Sequence, residues 1–120
     1  QENNLNNLDN MWLQFNNNLS DFPSDIQYVP SLTSLSLDFN SFESIPNDFL
    51  SNLTNLSLFT VYNNNLNMLP LNICDIDAII GVAGNKLCNE YHYDCIDNWE
   101  DWGNNDYANY SPLQDQSNCP

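Results

Sequence analysis

The sequence repeats one pattern of apolar residues, asparagine and proline at an interval of 23 to 24 residues, shortening to 21 in the last copy. Residues 32–46, LTSLSLDFNSFESIP, and residues 56–70, LSLFTVYNNNLNMLP, both follow the pattern L-x-x-φ-x-φ-x-x-N-x-φ-x-x-φ-P, in which φ is an apolar residue. Residues 79–88, IIGVAGNKLC, form a third copy, and residues 11–23, MWLQFNNNLSDFP, form a fourth with one additional residue before its asparagine. Repetition with this period is typical of a solenoid, in which consecutive repeats stack on one another.

Each copy begins with apolar residues at alternating positions, which predicts a short strand with one face in the core. Leu35 and Leu37 would point inward in one copy, and Phe59 and Val61 in the next. The chain then turns sharply, and a buried asparagine amide can both donate to and accept from backbone groups that no strand pairs. We therefore predict a ladder of four stacked asparagines: Asn17, Asn40, Asn64 and Asn85.

The joint recurrence of the strand, the asparagine and an apolar residue before proline resembles the extracellular leucine-rich repeat family, of the plant type. The resemblance covers roughly residues 8–88. It implies an α/β solenoid, a short right-handed superhelix with a parallel concave sheet and an irregular or short-helical convex side. On this basis we expect about four repeats in residues 1–87 and a disulfide-linked, acidic and aromatic C-terminal cap in residues 88–120.

The four cysteines lie in the C-terminal half of the chain and allow three pairings. Residues 84–95, GNKLCNEYHYDC, resemble the close of plant-type extracellular leucine-rich repeat domains. That resemblance implies a bond between Cys88 and Cys95, which leaves Cys74 to pair with Cys119. The spacings contain no C-x-x-C, and the single histidine is His92, so a zinc site is not expected.

Charge and composition restrict the partners that the chain can bind. Sixteen acidic residues and one lysine give a formal charge of −15, which opposes binding to nucleic acid or to acidic membranes. The longest apolar run is too short to cross a bilayer, so we expect no membrane insertion. Cysteines together with N-glycosylation motifs indicate a secreted, extracellular glycoprotein. Four asparagines stand in such motifs: Asn18, Asn52, Asn55 and Asn109.

The sequence holds no recognisable catalytic constellation, so we expect neither enzyme activity nor a cofactor. His92 and Asp94 are close in sequence, but no nucleophile accompanies them, and a surface histidine is the simpler interpretation. The acidic tail leaves two interpretations open, a calcium site or a solvated acidic surface whose aromatic residues pack on the last repeat. The calcium candidates are Asp97, Asp101 and Asp106.

The positions between the inward strand residues predict the surface that would meet a partner. This concave face is nearly uncharged and contains aromatic and aliphatic residues, a composition that fits a protein partner. Its predicted binding residues are Trp12, Gln14, Ser34, Ser36, Asp38, Leu58, Thr60 and Tyr62. The preferred hypothesis is a self-assembling structural subunit of an extracellular polymer, filament or coat. The alternative is a recognition module of the receptor-ectodomain or secreted-inhibitor type, which binds a protein or peptide on this face.

Overall fold

A parallel sheet of four short strands forms one side of the molecule in a computed structural model that describes residues 10–13, 21–100 and 113–120. The strands follow one another in chain order, and each pairs in parallel with the next. Register partners are 24 residues apart in the first two pairings and 21 in the third, at positions 10, 34, 58 and 79. The strands are β1 (Asn10–Trp12), β2 (Ser34–Ser36), β3 (Leu58–Thr60) and β4 (Ile79–Gly81). The predicted parallel sheet is therefore confirmed.

Short 3₁₀ helices connect the strands, and no long helix occurs in the described residues. Three of them follow a proline whose carbonyl accepts the N–H three residues later, with N···O distances of 3.1 Å at Pro23, Pro46 and Pro70. Proline suits this position because it has no N–H to leave unpaired. The helices span Ser24–Tyr28, Phe49–Asn52, Leu71–Asp75 and Asn89–Tyr91.

The core lies between the sheet and the 3₁₀ helices. Leu35, Phe59 and Ile80, at the centres of β2, β3 and β4, are completely buried. Phe49 and Ile73 cover them from the helical side and are also fully buried. Because each strand contributes only a few apolar residues, burial depends on the stacking of neighbouring segments.

The two disulfide bonds correct the pairing that the resemblance implied. Cys74 is bonded to Cys95, and Cys88 is bonded to Cys119, so the predicted pairs Cys88–Cys95 and Cys74–Cys119 are wrong. After Cys88 the chain makes a 3₁₀ turn that carries Cys95 back to the preceding helix, Leu71–Asp75. The C-terminal segment returns to the loop after Asn85, whose carbonyl accepts the Asp115 N–H at 2.7 Å. This return brings Cys119 to Cys88.

The outer edge of β4 is covered by residues 97–98. Gly81 forms a parallel bridge with Asn98, and the Val82 N–H donates to the Asn98 carbonyl at 2.8 Å. The Ile80 N–H donates to Asp97 Oδ2 at 2.9 Å, and the Ile80 carbonyl accepts the N–H groups of both residues. Among the described residues, no strand pairs with the outer side of β1.

Within the described ranges, no helix has the length and apolar character that crossing a membrane requires.

Candidate functional site

The side of the sheet that faces away from the 3₁₀ helices is the candidate binding surface. We call it the open face and define it by Asn10 and Trp12 of β1 and by the residues in register with them. One row contains Asn10, Ser34, Leu58 and Ile79, and the next contains Trp12, Ser36, Thr60 and Gly81. Gln14, which we predicted on the same surface, lies outside the described residues.

Three large apolar side chains on the open face are exposed to solvent. Trp12 is 64% exposed, Ile79 is 55% exposed and Leu58 is 38% exposed. Leu58 and Ile79 are register partners on neighbouring strands, so their side chains lie side by side. We call these three residues the apolar patch. Ile79 was missed in the sequence because IIGV reads as a continuous buried run, although the repeat template places Ile79 at an outward position.

Ser36 and Thr60 are not available to a partner as the sequence predicted, because both are buried. Their hydroxyl groups donate to Asp38 Oδ2, at 3.0 Å from Ser36 and 3.3 Å from Thr60. Asp38 Oδ1 accepts the Tyr62 N–H at 2.8 Å. Because the Ser36 and Thr60 side chains are short and bond to Asp38, they lie below the surface that a partner would contact. The Asp38 carboxylate therefore joins β2 to the end of β3.

The Asp38 carboxyl has a raised pKa because burial removes water from the charged form. The hydrogen bonds from Tyr62, Ser36 and Thr60 oppose this effect without cancelling it. A raised pKa in the folded state makes the carboxylate a destabilising charge at neutral pH.

The Asp38→Asn variant should have a flatter dependence of stability on pH than the wild type. Asp38 contributes stability in full below its ordinary pKa of 3.8, and this contribution is lost as the pH rises through the higher folded-state pKa. The amide can still accept the Tyr62 N–H but does not ionise. Urea denaturation at a series of pH values upward from about 3.8 measures this slope. Glu43→Gln removes the same charge from an exposed position, and equal slopes for the two variants would contradict the prediction.

Tyr62 is held against the end of the sheet. Its hydroxyl oxygen accepts a hydrogen bond from Asn98 Nδ2 at 2.8 Å, and its ring lies over Gly81. A Cβ atom on residue 81 would collide with the Tyr62 ring, so glycine permits this close approach. Tyr62, predicted as a binding residue, covers β4 and contacts the C-terminal part of the chain.

A ladder of buried side-chain amides runs beside the strands. Asn85 Oδ1 accepts the N–H groups of Asn64 and Leu66, at 3.1 and 3.0 Å. Its Nδ2 donates to the carbonyls of Val61 and Val82, at 2.9 and 2.8 Å. Each asparagine thus satisfies backbone groups of its own turn and of the preceding one.

The same arrangement extends through two more asparagines. Asn64 Oδ1 accepts the Phe42 N–H at 3.1 Å, and its Nδ2 donates to the Leu37 carbonyl at 3.0 Å. Asn40 Nδ2 donates to the carbonyls of Leu13 and Leu37, at 2.8 and 3.0 Å. Asn17, predicted as the fourth member, lies outside the described residues.

Gln114 continues the ladder beyond the last repeat, and the sequence reasoning missed it. Its Oε1 accepts the Leu87 N–H at 3.1 Å, as Asn85 accepts that of Leu66 one repeat earlier. Its Nε2 donates to the carbonyls of Val82 and Trp99, at 2.9 and 2.8 Å. The repeat interval did not predict this glutamine, because Gln114 follows Asn85 by 29 residues and stands outside the repeat pattern.

The acidic and aromatic C-terminal region contains one described calcium candidate. Asp97 uses Oδ2 to accept the Ile80 N–H, whereas Asp101 and Asp106 lie outside the described residues. Within the part of the chain that the structure describes, no three His, Cys, Asp or Glu side chains are grouped so as to hold a metal ion. His92 stacks on Trp99 with ring centroids 4.4 Å apart and an interplanar angle of 5°.

Two glycosylation motifs can be placed. Asn52 and Asn55 are exposed at the end of the second 3₁₀ helix and just beyond it. Asn55 Nδ2, the atom that a glycan would modify, donates to the Pro30 carbonyl at 3.0 Å. Asn18 and Asn109 lie outside the described residues.

The chain matches no family model. It is similar to part of a probable serine/threonine-protein kinase from Dictyostelium discoideum, with 33% identity over 57 residues. The matched segment is 48% of this chain and 5% of that protein, so the chain spans about one twentieth of the length of this relative. The similarity concerns a short segment of a much longer protein.

Proposed function

We propose that this chain is a secreted, non-enzymatic leucine-rich-repeat solenoid that binds a protein or peptide on its open face. The observation that carries the proposal is the apolar patch, in which Leu58 and Ile79 lie side by side and exposed. The apolar residues on the other side of the sheet, by contrast, are buried in the core against the 3₁₀ helices. Exposed apolar side chains grouped on one surface are characteristic of protein interaction sites.

The repeat architecture is supported by three regular features. Register partners recur at intervals of 24, 24 and 21 residues, the turns after proline repeat the same hydrogen bond, and amide side chains stack beside the strands. Secretion is supported by two disulfide bonds that use all four cysteines, because such bonds persist in oxidising compartments.

The charge of the chain favours a basic protein segment as the partner. The chain has a formal charge of −15 and contains one lysine and no arginine. Asp77 and Asp97 are both exposed near Ile79, the first two residues before it in sequence and the second bonded to Ile80. An apolar patch with an acidic rim favours a segment that carries apolar anchors and positive charges.

Self-association is the second candidate, and the sheet order favours it. β1 is the terminal strand, and no described strand pairs with its outer side. An unpaired edge can pair with another chain. Since residues 97–98 cover the edge of β4, β1 is the only described strand with an edge open to pairing. Two copies that pair through β1 would close as a dimer, which is why we rank a filament or coat below the recognition module. Light scattering that shows a concentration-dependent mass would support self-association.

The recognition proposal predicts that replacing Leu58 and Ile79 by serine abolishes peptide binding. Selection from a random peptide display library should yield peptides with apolar and basic residues, and calorimetry should measure their affinity. We expect the double variant to lose affinity by about tenfold or more, because the apolar anchors carry much of the binding energy. The matched control is Met68→Ser with Leu71→Ser, which removes exposed apolar side chains away from the strands. Equal affinity of the two double variants, or no selected peptide, would overturn the proposal.

A further inference from the structure

The half-buried carboxylate of Asp38 follows the end of β2, on the same side of the sheet as the exposed indole of Trp12. Asp38 follows Ser36 by two residues on the same side of β2, and Ser36 is the register partner of Trp12. From the spacing of strands and of alternate residues, the Cα atoms of Asp38 and Trp12 are about 8 Å apart. Asp38 and Trp12 are thus diagonal neighbours on adjacent strands, close enough for one long side chain of a partner to reach both.

The Asp38 carboxylate has no cationic partner among the described residues. Its three donors are two hydroxyl groups and one backbone N–H, all uncharged. The two oxygens of a carboxylate offer about four acceptor positions, and the donors among the described residues fill three of them. Burial raises the pKa of this carboxyl, because it removes water from the charged form.

We propose that Asp38 and Trp12 form the subsite that receives a lysine or arginine side chain of the peptide partner. This inference rests on the proposed function and specifies the chemistry of its ligand. A cation that binds here is attracted by a carboxylate that folding has already partly removed from water. Binding therefore requires less further desolvation of the carboxylate than it would at a fully exposed one. The indole adds a cation–π contact, which is strongest for tryptophan.

A side-chain cation fits this subsite better than a metal ion. Calcium takes six to eight oxygen ligands, often from several carboxylates. The described surroundings of Asp38 supply one carboxylate and two hydroxyl groups that are already hydrogen-bonded to it. A guanidinium or ammonium group needs only one acceptor and an aromatic face.

Nuclear magnetic resonance titration with Nα-acetyl-arginine methylamide tests the subsite directly. The reporter is the Tyr62 amide, which donates to Asp38 Oδ1, and the control is the Ile80 amide, which donates to the exposed carboxylate of Asp97. We expect a saturable shift of the Tyr62 amide alone, absent with the neutral citrulline analogue and absent in Asp38→Asn. Equal, non-saturating shifts of both amides would indicate general charge screening and would overturn the inference.

Trp12 provides a second variant that is independent of the hydrogen bonds of Asp38. Because its side chain is largely exposed, Trp12→Ala should leave the fold intact. We expect Trp12→Ala to weaken arginine-analogue binding about threefold or more and Trp12→Phe to retain part of it. Unchanged affinity in Trp12→Ala would remove the indole from the subsite.

Peptide binding separates this inference from the proposed function. Replacing the basic residue of a selected peptide by citrulline should lower its affinity about fivefold or more for the wild type and leave it unchanged for Asp38→Asn. If the Leu58 and Ile79 variant loses binding but the citrulline peptide binds as well as its parent, the proposed function stands and the cation subsite is wrong. If no peptide binds, the proposed function fails, and the titration with the arginine analogue still decides the subsite.

Discussion

Replacing Asn85 by alanine is expected to lower the free energy of unfolding by about 3–5 kcal/mol, since each buried polar group left without a partner costs roughly 1–3 kcal/mol. The side chain accepts two backbone N–H groups, those of Asn64 and Leu66, and donates to the carbonyls of Val61 and Val82. Asn85 is almost completely buried, so water cannot replace these bonds without opening the core. The substitution therefore affects two adjacent turns of the ladder.

Urea denaturation monitored by tryptophan fluorescence measures this effect, and two further variants define its cause. Asn67→Ala removes an exposed asparagine from the same loop as Asn64 and should change stability by about 0.5 kcal/mol or less. Asn85→Asp keeps the shape but presents a carboxylate oxygen to two carbonyls, so it should destabilise at least as much as alanine. A loss below about 1 kcal/mol in Asn85→Ala would contradict the structural role of the ladder.

The repeat pattern predicted the parallel sheet because the information is local. Alternation within each copy sets the buried face, and proline three residues before Phe49 or Ile73 sets the 3₁₀ turn. A fixed spacing between copies then requires that equivalent strands lie side by side. These features depend on residues close in sequence and on a regular interval, and both can be read from one chain.

The C-terminal region could not be predicted in the same way because it depends on where the chain returns. The pairing of Cys74 with Cys95 follows from the 3₁₀ turn at residues 89–91, which no repeat template contains. Gln114 enters the ladder only because residues 113–120 lie against the last repeat.

The predicted binding surface was incomplete for a different reason. The template identifies which positions face outward but not how deep each side chain lies. Ser36 and Thr60 face outward, yet their hydroxyl groups bond Asp38 and are buried. Ile79 also faces outward but was not among the predicted residues, because it stands in the continuous apolar run IIGV, in which no polar residue marks the alternation.

The bond between Cys88 and Cys119 and the Gln114 side chain are expected to stabilise the chain as one unit. Removing the bond with Cys88→Ser and Cys119→Ser should cost roughly 3–4 kcal/mol, from the loop entropy that a disulfide of this span removes from the unfolded chain. Gln114→Ala alone should cost about 1–3 kcal/mol, because the buried Leu87 N–H loses its acceptor. Urea denaturation of the variants measures both losses.

The combination of these changes decides whether the bond holds Gln114 in place. Without the bond, residues 113–120 can detach at low cost, so Gln114→Ala should add less than about 0.5 kcal/mol in that background. The Cys74–Cys95 bond attaches a different segment, so in Cys74→Ser with Cys95→Ser the Gln114→Ala loss should be added in full. Additive losses in both backgrounds would show that the hydrogen bonds of Gln114 position the segment without the disulfide. If the loss from Gln114→Ala is smaller only in the variant without the Cys88–Cys119 bond, that bond holds Gln114 in place. Gln114 is the last member of the ladder and lies at the end of the sheet opposite β1.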